Sequence, residues 1–132
     1  MSDVLYKVHK ERYAQFVRAW IKIDTLDRCW PGEGRIDIVK VDIEGSETDF
    51  LEGGRNTIAA HRPAILMEFN RIHLAERGIN FPVAVPSLLP EDYVFAEVRT
   101  SGIFEIHDLS DCIDADILAV PKEAKGNLIF GL

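Results

Sequence analysis

The chain has 132 residues, of which 47% are hydrophobic and 28% are charged, and its formal net charge is −7. These values are typical of one globular domain, residues 1–132, with a single hydrophobic core. The negative charge argues against nucleic acid as a partner, because phosphate binding requires a basic surface. No apolar run could span a bilayer and no signal-peptide pattern opens the chain, so we expect no membrane contact and a cytoplasmic location. Cys29 and Cys112 are isolated and are expected to be free thiols.

The first part of the chain contains two predicted elements and a turn. Residues 3–14 carry apolar side chains at helical spacing and are predicted as a helix, although the alternation of Val4, Tyr6 and Val8 also fits a strand. Residues 17–23, "VRAWIKI", alternate and predict a half-buried strand. Proline and glycine in "DRCWPGEGR" then predict a turn.

The segment "IDIVKVDI", residues 36–43, gives the clearest strand signal in the sequence. Its run of β-branched residues favours a central position in the sheet and a parallel neighbour. Ser46 and Asp49 follow at the spacing of a helix N-cap and its capping-box partner. Gly53 and Gly54 are expected to interrupt that helix, and "RNTIAAH" continues it for another turn or two.

The second half of the chain is richer in strands. "AILMEF", residues 64–69, predicts a second buried strand, and residues 81–89 predict a short helix. "YVFAEVR", "GIFEI" and "DILAV" predict three closely spaced strands. The order of these elements predicts an α/β domain with a sheet of about five strands, two or three helices and an antiparallel hairpin near the C-terminus.

Five carboxylates follow the strand at residues 36–43 and form two groups. Glu47, Asp49 and Glu52 lie in the first turns of a predicted helix, where the helix dipole favours negative charge. Asp42 and Glu44 lie before the cap, at the end of the strand. A carboxylate in that place is able to act as a general base or to bind a divalent cation. We therefore regard Asp42 and Glu44 as candidate site residues and the later three as helix-start residues.

Glu68 extends this candidate site to the next strand. Alternation along a strand puts Lys40, Asp42 and Glu44 on one face, which predicts an ion pair between Lys40 and an acid. If the two strands are neighbours, Glu68 lies near Asp42 and Glu44, and the three acids form a carboxylate-rich pocket. His73 is then a candidate base or metal ligand, but a surface position is the simpler interpretation. His9, His61 and His107 have no partner at metal-ligand spacing.

Several short motifs in order make the chain resemble the FkbM-type methyltransferases. They are "TLD", "IDIVKVDIEGSE", "FLEGGRNTI", "HRPAILMEF" and "DILAVP", and together they cover about residues 17–121. The resemblance implies a Rossmann-like methyltransferase fold in which residues 36–43 form the fourth strand and residues 64–69 the fifth. It also implies S-adenosylmethionine as methyl donor, and places Asp42 and Glu44 where acceptor and donor meet. With Glu68 from the neighbouring strand, they are the catalytic candidates.

The resemblance covers only the C-terminal half of that fold. The glycine-rich strand-to-helix turn that would hold the donor is not found, since the glycines at 32 and 34 precede a strand and those at 53 and 54 lie between helices. In the complete fold the fourth strand pairs with the first, so residues 36–43 would form an unpaired edge here. We expect residues 17–23 to fold beside that edge, or two chains to form a homodimer through it.

Three functions follow from these observations. The first is transfer of a methyl group from S-adenosylmethionine to an acceptor hydroxyl, with the donor poorly held by this chain alone. The second is a non-catalytic binding or assembly module that keeps the stable half of the fold. The third is a small-molecule binder that depends on a divalent metal held by Asp42, Glu44 and Glu68.

Overall fold

A computed structural model of the protein describes residues 4–7, 16–112 and 114–127. The strands are β1 (Val4–Lys7), β2 (Phe16–Ala19), β3 (Ile38–Val41), β4 (Ala64–Asn70), β5 (Tyr93–Arg99), β6 (Gly102–Ile106) and β7 (Asp114–Pro121). The α-helices are α1 (Leu26–Cys29), α2 (Glu47–Gly53), α3 (Arg55–His61), α4 (Arg71–Glu76) and α5 (Phe81–Leu88). Short 3-10 helices span Leu109–Asp111 and Lys122–Asn127. Over these ranges, no helix has both the length and the apolar composition that crossing a bilayer demands.

The main sheet has five strands in the order β3-β4-β7-β5-β6. β3 and β4 are parallel, whereas β7 runs antiparallel between β4 and β5. β5 and β6 form an antiparallel hairpin. This arrangement confirms the predicted α/β class, a half of a Rossmann-like sheet with an antiparallel C-terminal part. The last strand does not extend the sheet at its edge but lies inside it.

The hydrophobic core lies between one face of this sheet and the helices. The sheet contributes alternate residues to it, because successive side chains of a strand point to opposite faces. α2, α3, α4 and α5 add their apolar sides to the same layer. From the sheet come Val41, Ile65, Met67, Phe69, Ile117 and Ala119, and from the helices Leu51, Ile58, Leu74, Phe81 and Val85. The carboxyl ends of β3 and β4 therefore lie at one edge of a sheet whose core-forming face is covered by these helices.

Two expectations for the first part of the chain need correction. The helix expected at residues 3–14 is wrong over Val4–Lys7, which form β1 and pair antiparallel with β2; the rest of that range lies outside the described residues. The alternation of Val4 and Tyr6 in the sequence had also fitted a strand, and the strand is the correct alternative. The strand expected at residues 17–23 is shorter and shifted, Phe16–Ala19. Its partner is β1, so among the described strands it does not cover β3.

The position of β3 agrees with one expectation and not with another. Its parallel pairing with β4 and the edge position expected from the missing first strand are confirmed, but the central position that its β-branched composition favoured is wrong. Ile38 is 68% exposed, so β-branched composition did not indicate burial on both faces. Helices α1 and α4 were not predicted. α4 begins where the Asn70 side chain accepts hydrogen bonds from the backbone of Ile72 and His73, an N-cap placed directly after a strand.

Tyr93 links the start of β5 to the loop that precedes β4. Its hydroxyl donates to the carbonyl of Pro63 at 2.9 Å, and burial raises the pKa of Tyr93 to about 12. We expect Tyr93→Phe to lower the free energy of unfolding by about 1 kcal/mol, because the carbonyl loses its partner. Urea denaturation would measure this loss. Val83→Ala, at a side chain that is 65% exposed, is the control and should change the value by less than about 0.5 kcal/mol. Equal effects of the two substitutions would contradict the prediction.

Candidate functional site

Four carboxylates lie close together around the ends of β3 and β4. The parallel register pairs Val41 with Met67, so Asp42 and Glu68 follow next to each other on adjacent strands. In the antiparallel pair beyond, Glu68 lies opposite Asp116 of β7. Glu44 is close enough for its charge to act on Glu68. The structure therefore brings the predicted residues together, and we call Asp42, Glu44, Glu68 and Asp116 the acid cluster.

Lys40 pairs with one member of the acid cluster, Asp42, and the pKa values of Asp42 and Glu68 shift in opposite directions. Its ammonium contacts an Asp42 carboxylate oxygen at 2.7 Å, which confirms the predicted ion pair. The hydrogen bond from Lys40, and then its charge, lower the pKa of Asp42. The charge of Asp42 raises the pKa of Glu68, and desolvation and a hydrogen bond between the two carboxyls act in the same direction. Two neighbouring acids thus differ in proton affinity, which is the condition for one to hold charge while the other exchanges a proton.

A tight turn after β3 carries Glu44. Both Glu44 and Gly45 have left-handed backbone conformations, with φ of 53° and 92°. A Cβ atom built on Gly45 would lie 2.9 Å from the Cβ of His73, so only glycine fits against that residue. His73 Nδ1 lies 3.5 Å from a Glu44 carboxylate oxygen, in ion-pair range but without a hydrogen bond. His73 is half-buried and belongs to this turn, although the sequence favoured an ordinary surface residue.

Glu47 supports the turn from below. Its side chain is only 1% exposed, and one carboxylate oxygen accepts from the backbone N–H of Ile43 at 3.4 Å and of Gly45 at 3.2 Å. The other oxygen is buried and has no hydrogen-bond partner among the described residues. Glu47 is a first-turn acid of α2, as predicted, but the assignment to helix-start electrostatics alone is incomplete. The Ser46 side chain makes no capping hydrogen bond, so the predicted capping box is not formed.

Arg77 holds the other side of the turn. Its guanidinium donates to the Gly45 carbonyl and to both carboxylate oxygens of Asp49, at 3.0 and 2.8 Å. Asp49 is therefore an ion-pair partner of Arg77 as well as a first-turn acid of α2. Glu52 is exposed but lies one residue before the end of α2, so the prediction that it is a helix-start residue is wrong. Nothing in the sequence linked Arg77 to the turn, because the two lie far apart along the chain.

The "TLD" motif has a structural role at the start of α3. Asp27 accepts from the backbone N–H of Thr57 at 2.8 Å and of Asn56 at 3.1 Å, and from the Asn56 side chain at 2.9 Å. A carboxylate in this place supplies acceptors for the free N–H groups of a helix start. The motif thus ties α1 to α3.

A cleft of 580 Å³ opens beside the end of β3. Its wall near α1 contains Asp24, whose side chain is 8% exposed and bonded to Lys22, Arg28 and the backbone of Thr25. The hydrogen bond from Lys22, then the one from the Thr25 backbone and the charge of Arg28, lower the pKa of Asp24. The cleft is lined by Ile23, Asp24, Thr25, Leu26, Arg28, Ile43, Ser46, Asp49, Phe50 and Gly53.

The described residues do not by themselves fit S-adenosylmethionine. A donor loop needs glycine in an open strand-to-helix turn, where backbone approaches the cofactor. Gly45 lies in such a turn between β3 and α2, but the space above it is filled by His73. Gly32 and Gly34 have open surroundings and positive φ, yet they precede β3. In these same ranges, no group of three or more His, Cys, Asp or Glu side chains is arranged to hold a metal ion.

The remaining thiols and imidazoles add no chemistry to this site. Cys112 is buried and Cys29 is exposed, and both are free thiols as predicted. Burial, ahead of nearby acids, raises the pKa of Cys112. His61 accepts from the backbone of Ile36, and His107 is exposed. His9 lies outside the described residues.

Comparison with known proteins gives one match. A family model described as the methyltransferase FkbM domain matches residues 19–107, well over half of the chain. No curated protein and no solved structure matches the chain. The matched range contains α1, the strand pair β3–β4 and the acids Asp42, Glu44 and Glu68. Together with the α/β sheet and the acids at its strand ends, this match shows that the chain belongs to the FkbM methyltransferase domain family.

Proposed function

We propose that the protein takes part in methyl transfer to an acceptor hydroxyl and that the acid cluster receives this hydroxyl. The observation that carries the proposal is the convergence of Asp42, Glu44 and Glu68 at the carboxyl ends of two parallel strands. Open α/β sheets bind their ligands beyond the strand C-termini. Membership of the FkbM family supports the reaction class, and that family generally uses S-adenosylmethionine.

In this proposal Glu68 is the general base and Asp42 keeps it basic. A base is most effective when its pKa is close to the working pH, and the charge of Asp42 moves the pKa of Glu68 upward. Lys40 keeps Asp42 charged, so that Asp42 does not compete for the proton. The acceptor hydroxyl gives its proton to a Glu68 oxygen as its own oxygen gains electron density. The donor, when bound, supplies an electrophilic methyl group.

A non-catalytic binding or assembly module is the second candidate function. It is favoured by the glycine positions, because among the described residues no glycine with open surroundings lies in a turn from a strand to a helix, where the donor would bind. Calorimetric titration of the chain with S-adenosylmethionine separates the two. Saturable donor binding supports the methyltransferase, and an absence of heat at millimolar donor supports the module. Heat with magnesium or manganese alone would instead support a metal-dependent binder.

The base assignment is tested with labelled S-adenosylmethionine and a panel of hydroxyl compounds. We expect Glu68→Gln to lower methyl transfer by about 10²–10⁴-fold, the usual contribution of a general base. Glu52→Gln, an exposed acid on α2, is the matched control and should leave transfer unchanged. Equal activities of the wild type and Glu68→Gln would refute the role of Glu68, whichever compound is methylated.

The unequal proton affinities have a test that needs no substrate. We expect Asp42→Asn to lower the pKa of Glu68 toward its ordinary value, because Asp42 is the largest cause of the shift. A pH titration of the carboxyl carbons by NMR would measure it. Asp37→Asn, at the other end of β3, is the control and should leave the pKa of Glu68 in place. A Glu68 titration that is identical in wild type and Asp42→Asn would contradict the coupling.

A further inference from the structure

The outer side of β3 presents unpaired backbone groups. Ala64 donates its backbone N–H to the carbonyl of Asp37 at 2.9 Å. Parallel strands bond through alternate residues, so Val39 also directs its N–H and C=O toward β4. Ile38 and Lys40 consequently direct theirs away from the sheet, and β2, which pairs with β1, does not reach them. Within the described ranges this edge has no partner strand.

Apolar side chains accompany this edge. Ile38 is 68% exposed, and Ile23 and Ile43, which share the cleft beside β3, are 61% and 43% exposed. An exposed strand edge with apolar neighbours is a template for pairing with another strand. Lys40, which pairs with Asp42, is the one charged residue of β3. A partner strand must therefore avoid placing a second positive charge opposite Lys40.

We propose that two copies of this chain pair β3 to β3, antiparallel and centred on Val39. In this register Ile38 of one copy lies opposite Lys40 of the other, and each such pair exchanges both of its backbone hydrogen bonds. All outward groups of Ile38 and Lys40 are then satisfied, and none is left over. Each isoleucine packs on the aliphatic stem of the opposing lysine.

Neighbouring registers are less favourable. Centring the pair on Lys40 places two lysines directly opposite, and like charges in that position are destabilising. Centring the pair on Val41 would require Asp42 to pair with Lys40 of the other copy, but Asp42 lies beyond the end of β3. Centring it on Ile38 would recruit Ile36, which lies before its start. The extent of β3 and the charge of Lys40 thus select the register centred on Val39.

The register predicts one crosslink. The two copies of Val39 form a non-hydrogen-bonded pair, whose Cα atoms lie about 4.5 Å apart, within the range that a disulfide spans. We expect Val39→Cys, in a Cys29→Ser background, to form a disulfide-linked dimer under mild oxidation. Ile72→Cys in the same background is the control, because Ile72 is 65% exposed on α4 and is not part of the proposed strand pair. Equal crosslinking of the two variants would overturn the proposed register.

A second pair of variants tests the interface without oxidation. We expect the wild type to sediment with the mass of two chains and Ile38→Lys to sediment as a monomer, because the new lysine lies opposite Lys40 of the other copy. Ile72→Lys should remain a dimer. Ile38→Lys keeps the bonds of β3 to β4, so a circular dichroism spectrum like that of the wild type shows that it folds.

Three results would overturn the proposal. The first is a wild-type monomer at high concentration whose Ile38 and Lys40 amides exchange freely. The second is a monomer in which those amides are protected, since another segment of the same chain would then cover the edge. The third is an Ile38→Lys variant that stays dimeric, because the dimer would then use a different surface. Dimeric wild type with monomeric Ile38→Lys and a specific Val39→Cys crosslink supports it.

Discussion

Glu47→Ala should lower the free energy of unfolding by roughly 1–3 kcal/mol, the range for leaving a buried hydrogen-bonding group without its partner. The substitution leaves the N–H groups of Ile43 and Gly45 without an acceptor at a buried place. One oxygen of Glu47 is itself buried without a partner, and its removal offsets part of the loss. Urea denaturation of the purified chain would measure the change.

Two matched substitutions make this prediction specific. Glu52→Ala removes an exposed acid from the same helix and should change the free energy of unfolding by less than about 0.5 kcal/mol. Glu47→Gln keeps one oxygen as acceptor for both N–H groups and should recover part of the lost stability. If Glu47→Ala and Glu52→Ala were equally stable, the turn would not depend on Glu47.

Gly45→Ala is expected to cost roughly 2–5 kcal/mol of unfolding free energy. About 1–2 kcal/mol arises because φ of 92° is unfavourable for a residue with a side chain. The rest arises because the new methyl group would meet the Cβ of His73 at 2.9 Å, which forces a backbone or side-chain shift of about 1–3 kcal/mol. Thermal and urea unfolding would both report it.

Gly78→Ala separates these two contributions. Gly78 also has a positive φ, 68°, but nothing lies within 4 Å of a Cβ built there, so the variant should show only the backbone cost. Adding His73→Gly to Gly45→Ala should restore part of the stability, because it removes the atom that collides. A double-mutant cycle in which the two changes are additive would contradict the contact.

The strands were predictable from the sequence because their signals are local. β4, β5 and β6 agree closely with runs of β-branched and aromatic residues, and α5 agrees with its predicted range to within a residue. The meeting of Asp42 with Glu68 was also predictable, since parallel neighbours end at the same edge. The edge position of β3 was not predictable from composition, because exposure of Ile38 depends on which strands flank it.

The contacts that hold the turn between β3 and α2 could not be predicted from the sequence. Glu47 and Asp49 look alike as acids in the first turn of α2, yet Glu47 is buried under the turn and Asp49 is held by Arg77. That difference depends on the left-handed backbone before α2 and on the place of α4, neither of which has a sequence pattern. His73 was read as a surface residue for the same reason. A glycine directly after the Glu44 position was the one local sign of an unusual turn.

The backbone of Glu44 has a consequence for engineering this protein. Its φ of 53° lies in the left-handed region, which glycine adopts without strain and which is unfavourable for a residue with a side chain. A search for heat-resistant variants that selects for folding alone would therefore favour glycine at position 44 and would discard a carboxylate of the candidate site. A variant that gains stability through a change at position 44 has lost this carboxylate, so variants from such a search should be checked for what they still bind.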